Sequence, residues 1–227
     1  DGAEELPGGT DGLPFNRVKH DKDGVPKPKS QRNFTDPESR IMELGGTYVQ
    51  AYNCQAAVEE SHQVIVAQVL TNQPPDYEHL VPLVEQTREN LDAYPTTLTA
   101  DAGYWGEVNG AFCENAEMDA YISTRRRKHR EHQGAQTVDP DARPPPPPAA
   151  RTQRGQEMEA KVKSETGREA YAKRKWVVEP VFGQTKDARG FRRFHLRGLQ
   201  KARSEYSLLC TGHNLLKLWR NRPDPAD

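Results

Sequence analysis

Apolar positions along this chain gather in short segments separated by long polar ones, and the spacing inside the segments alternates between period two and helical period. Tyr48–Val58 (YVQAYNCQAAV) and Val64–Thr71 (VIVAQVLT) each predict a strand, and polar Glu59–His62 predicts the turn of an antiparallel hairpin. The second strand is the more continuously apolar and is expected to be buried on both faces. Asp76 is a candidate N-cap for a helix reaching Ala93, with Leu80, Leu83, Val84, Thr87 and Leu91 at helical spacing. Thr96–Ala100 predicts a short strand ending at Asp101, Trp105–Asn115 a helix with Val108, Ala111 and Phe112 inward, and Ala120–Thr124 a further strand. Tyr171–Lys186 predicts a helix that kinks or restarts at Pro180, because proline costs about 3 kcal/mol inside a helix. Gly190 ends it. A last amphipathic helix, Leu199–Trp219, should dock through Leu199, Ala202, Tyr206, Leu209, His213 and Leu216. The order from Tyr48 is β-β-α-β-α-β followed by helices, which is the α/β class.

Segments without periodicity divide the chain. Residues 1–40 read as a flexible lead-in, and residues 125–164, opening on Arg125-Arg-Arg-Lys-His-Arg and running through five prolines at 144–148, as a basic and proline-rich disordered insertion. That leaves residues 41–124 as the first part of a core, 165–220 as the helices completing it, and 221–227 as a tail. Only 34% of the residues are hydrophobic and the mean hydropathy is -0.94, so the core must be concentrated in these segments. The formal net charge of -1 hides a polarity: residues 151–227 carry twice as many lysines and arginines as acidic residues, while the rest of the chain is acidic. A basic C-terminal third points to a polyanionic partner. Cys54, Cys113 and Cys210 are far apart and form no CxxC pair, which excludes a zinc ribbon or disulfide framework and fits a reducing compartment. No apolar run reaches the ~18 residues of a membrane span, and no leader pattern is present at the start. The reading is a cytoplasmic chain, and its opening on Asp1 reads as a fragment of something longer.

Two carboxylates carry the chemistry. Glu179 lies between apolar residues with cations on either side (Arg174-Lys-Trp-Val-Val-Glu179-Pro-Val-Phe), an odd place for a carboxylate that serves only solubility. Asp101 follows a strand and precedes glycine, where open α/β sheets present their ligands; an Asx-turn is the competing reading. Together they suggest Mg²⁺ or Mn²⁺ bound through hard oxygen ligands. Lys186 lies two helical turns after Glu179, and Arg189, Arg192, Arg193 and Arg197 complete a candidate DNA-binding surface. His129, His132, His195 and His213 lack the neighbours a metal or nucleophilic site needs.

Ala100-Asp101-Ala-Gly-Tyr104, Val178-Glu179-Pro-Val-Phe-Gly-Gln-Thr-Lys186, Arg189-Gly-Phe-Arg-Arg-Phe194, His213-Asn-Leu-Leu-Lys217 and Ala51-Tyr-Asn-Cys-Gln-Ala-Ala-Val58 resemble the DDE transposases of bacterial insertion sequences. The resemblance runs from about Lys27 to Lys217 and leaves the proline-rich stretch unmatched. It implies an RNase H-like mixed sheet flanked by helices, strand cleavage and transfer on transposon ends, DNA as partner, a homodimer, a nucleoid location in bacteria, and Asp101 and Glu179 in the second and third acidic positions. The family's Glu-x6-Lys is present, with Tyr171 and Arg174 one residue further from Glu179 than the family spacing. These enzymes carry their first acidic residue on a central strand ahead of the hairpin. Here that region is the polar lead-in, and Asp36 in Thr35-Asp-Pro-Glu38 is the nearest candidate. The expectation is a C-terminal portion lacking the first central strand and inactive alone. The alternative is a non-catalytic DNA-binding remnant acting through Arg189, Arg192, Arg193, Arg197 and Lys201.

Overall fold

The hairpin expected near the start of the core forms in the computed structural model, which describes residues 33–44, 46–124 and 152–222 together with Lys22 and Val25. Strand β3 (Asn53–Val58) pairs antiparallel with β4 (Ile65–Thr71), from Asn53↔Thr71 to Val58↔Ile65. Glu59 closes the turn: its carboxylate accepts the N–H groups of Ser61, His62 and Val64 at 2.8, 2.7 and 2.9 Å. Ahead of it lies a hairpin that the pattern did not reveal, β1 (Arg40–Leu44) against β2 (Thr47–Ala51), turning through Gly46 at φ +83°. The single strand expected over Tyr48–Val58 is therefore two, broken at Tyr52. Its ring is buried and its hydroxyl donates to Asp36. Residues 33–38, inside the expected lead-in, form a bonded turn in which Asn33 Oδ1 accepts the N–H groups of Thr35 and Asp36 at 3.1 and 3.3 Å.

The chain divides into two compact units, residues 1–74 with 181–227, and residues 75–180. In the first unit, helix α5 (Leu199–Arg220) lies on β4 and buries Ala202, Tyr206, Cys210 and His213. With Tyr52, Ile65, Leu70 and Val181, the first three of these form its core.

In the second unit a 3₁₀ turn, Asp76–His79, leads into α1 (Leu80–Leu91). Strand β5 (Thr97–Ala100), helix α2 (Glu107–Asn115) and strand β6 (Asp119–Ile122) make a crossover, and β5 pairs parallel with β6. A parallel pair requires such a connection. Its core holds Leu80, Val84, Ala100, Cys113, Met118, Ala120, Ile122 and Met158. Met158 comes from α3 (Gln153–Lys163), so residues 153–163, expected within the disordered insertion, are helical. Thr152 caps this helix by accepting the Gly155 N–H at 3.2 Å, and Arg154 holds it to α2 through Glu107 at 3.2 Å and Glu114 at 3.0 Å. The basic and proline-rich residues 125–151 lie outside the described residues. Helix α2 buries Asn109, Gly110 and Cys113 and packs Phe112 against the core as expected, but leaves Val108, also expected inward, 77% exposed.

Helix α4 (Glu165–Gly183) continues through Pro180 rather than restarting there, and passes into a π-helical turn, Gln184–Ala188. Among the described residues the strands pair only as three two-stranded sheets, so the architecture is mixed α/β.

Candidate functional site

Asp101 leaves the C-terminal end of β5. Its Oδ1 accepts the Gly103 N–H at 2.9 Å and its carbonyl the Tyr104 N–H at 3.2 Å, so the Asx-turn reading holds. Oδ2 has no hydrogen-bond partner among the described residues. A second carboxylate approaches the same backbone. A Cβ placed on Gly103 would lie 2.5 Å from Asp76 Oδ2 and 3.1 Å from Asp101 Oδ1, so only glycine lets both acids close around this turn. The pattern made Asp76 a helix cap, but it is the first residue of the 3₁₀ turn, Pro75 holding the N-cap position. Burial, then the charges of Asp76 and Asp101, push the Tyr104 phenol upward. The sign of a shared acidic turn was available in the sequence only as glycine following aspartate; the approach of Asp76 from 25 residues upstream is a tertiary fact.

Glu179 lies on α4 with its side chain 58% exposed, and its Oε1 is 3.8 Å from Arg174 Nη2. The Arg174 guanidinium lies 5.5 Å from the centre of the Tyr171 ring, within cation–π range. Tyr171, Arg174 and Glu179 thus meet despite the extra residue in their spacing. The separation of five between Arg174 and Glu179 leaves a long contact, and Arg174 Nε is buried without a partner. Among the described residues, no group of three or more His, Cys, Asp and Glu side chains is close enough to hold a metal ion.

The predicted DNA-binding residues fall in the first unit. Lys186, Arg192, Arg193 and Arg197 are exposed, whereas Arg189 is half-buried and bonds His213 Nδ1 at 3.3 Å. Arg192 pairs with Asp187; among the described residues neither Arg193 nor Arg197 has a carboxylate partner. Between the arginines, Phe191 and Phe194 turn inward and stack edge to face at 5.3 Å, and Phe194 meets Tyr52 in the same way at 5.9 Å.

The transposase DDE domain family matches residues 17–215, most of the chain. This chain belongs to that family. Its function is accordingly tied to DNA transposition, and DNA is the partner the family implies. No curated protein and no solved structure matches the chain. Among the described residues of this transposase-family chain, no helix is long and apolar enough to cross a membrane.

The motif His213-Asn-Leu-Leu-Lys217 turns out to hold the fold. His213 Nε2 meets the Gln63 carbonyl at 2.9 Å, Lys217 donates to Gln63 Oε1 at 2.7 Å, and the Asn214 amide bonds both the N–H and the carbonyl of Ile65 at 2.8 Å. Gln63 needs this support, since its φ of +61° is a left-handed conformation that side chains other than glycine resist.

Proposed function

We propose that Asp101 and Glu179 of this chain are two of the catalytic acids of an insertion-sequence transposase, which in the complete enzyme cleaves DNA strands at the transposon ends and transfers them to a target with Mg²⁺ or Mn²⁺. The observation that carries the reading is Asp101, held in an Asx-turn at the C-terminal end of a parallel strand with one oxygen unpartnered among the described residues, in a chain the transposase DDE domain family matches. The donor chemistry suits the ion: Asp101 and Glu179 offer the hard carboxylate oxygens that Mg²⁺ takes. When bound, the metal favours the attacking oxygen and stabilises the leaving one. Asp101 would hold it through Oδ2, the Gly103 N–H fixing the other oxygen. Glu179 would hold it from α4, with Arg174 limiting the positions its carboxylate can take. Lys186, Arg193 and Arg197 would contact DNA phosphates, placing the protein without reading sequence.

The test is transposition of the intact element in cells. Asp101→Asn and Glu179→Gln are each expected to lower its frequency by about 10² or more, the scale of losing an electrostatic contact to the reacting centre, while soluble protein and duplex binding persist. Undiminished transposition in Asp101→Asn would sink the proposal. A loss of duplex binding in the same variant, with folding intact, would count for the DNA-contact role of this turn instead.

A further inference from the structure

The basic loop after α4 is held by carboxylates through its backbone. Glu205, on the first third of α5, accepts the His195 N–H with both oxygens at 3.0 and 3.1 Å and the Leu196 N–H at 3.0 Å. Asp36 accepts the Gly198 N–H at 3.2 Å, and Glu38 the Leu199 N–H at 2.9 Å. Of the loop's aromatic residues, Phe194 packs on Tyr52 and Phe191 packs on Phe194, while Arg193 and Arg197 are exposed. Of these acids, Glu205 alone reaches the middle of the loop, between the two arginines.

We propose that Glu205 is a positioning residue for DNA binding: it fixes the backbone at His195 and Leu196 so that Arg193 and Arg197 present a preformed cationic row to the phosphates of a duplex. The inference rests on the DNA-binding reading given above. Its physical content is an entropy argument. A loop ordered before binding does not lose that freedom on the DNA, and backbone N–H groups need an acceptor in any ordered conformation. Charge alone predicts the opposite outcome, because removing an acid beside a basic loop strengthens attraction to a polyanion. The sign of the effect therefore decides between them.

The experiment compares the full chain with Glu205→Ala and Glu205→Asp, using a fluorescent duplex of about 30 base pairs at several salt concentrations and amide hydrogen exchange without DNA. Glu205→Ala is expected to weaken duplex binding roughly fivefold at fixed salt and to reduce the salt slope by about one phosphate contact. Exchange should rise at 191–198 and stay unchanged at Ala202 and Tyr206, and Glu205→Asp should restore part of both effects. Equal or tighter binding by Glu205→Ala, or unchanged exchange across the loop, overturns the proposal. Absence of duplex binding by the parent chain overturns the DNA-binding reading instead, and the exchange result still decides whether Glu205 orders the loop.

Discussion

His213 shows how completely one side chain can be committed by its neighbours. It is sealed from solvent, with the Gln63 carbonyl at Nε2 and the Arg189 guanidinium at Nδ1. A carbonyl can only accept and a guanidinium can only donate, so the ring is neutral with its proton on Nε2. Burial first, and then the charges of Arg189 and Lys217, lower its pKa against the opposing pull of the Gln63 carbonyl. With the folded pKa below the unfolded one, the unfolded chain takes up the proton first as pH falls. The stability tied to neutral His213 is complete above an unfolded pKa of about 6.5 and is lost as pH falls below it toward the folded value. The urea midpoint is expected to drop between about pH 7 and pH 5, and His213→Gln to flatten that drop. A variant that keeps the full pH dependence would show that another group carries it.

At the scale of elements, α5 owes its place to polar side chains as much as to its apolar face. Tyr206 donates to the Gln55 carbonyl at 3.1 Å, Arg203 to the Leu70 carbonyl at 2.9 Å, and the Asn214 amide bonds Ile65 as a neighbouring strand would. Asn214→Ala leaves the N–H and the carbonyl of Ile65 unmet, and should cost about 1–3 kcal/mol in chemical denaturation. Asn214→Asp restores only the acceptor and should recover part of that; full recovery would mean the carbonyl has no need of Asn214. The helical spacing of Ala202, Tyr206 and His213 made the docking face of α5 legible, whereas nothing local marked Asn214 as a strand substitute. The inward face of α2 was legible only in part. Phe112 packs on the core as its spacing suggests, but apolar Val108 is exposed while Gly110 is buried, where a Cβ would lie 2.7 Å from the stem of Arg154 and 3.3 Å from Trp105. Asp101 at the end of β5 was readable from strand, acid and glycine in succession, but Asp76 beside it was not. Pro180 lies within the continuous helix α4, although proline is costly at an interior helical position.

For the whole molecule, a net charge of -1 means that attraction to DNA would come from local basic patches rather than from the protein's overall field, and the patch proposed above spans residues 186–197. Within that patch the arginines are not equivalent. Arg192 already pairs with Asp187 and Arg189 with His213, whereas Arg193 and Arg197 carry charge that no described carboxylate offsets. Each phosphate neutralised contributes about -0.9 to the slope of log affinity against log salt. Arg193→Ala and Arg197→Ala are therefore each expected to make the slope shallower by about 0.9 for duplexes of any sequence. Arg192→Ala should change it less, because Arg192 must give up Asp187 to reach a phosphate, and Asp187→Asn should release it and tighten binding. Equal slopes for the Arg192 and Arg193 variants, measured by titration from about 50 to 200 mM salt, would show that the Asp187 pair opens on DNA at no cost and that the patch acts through its total charge.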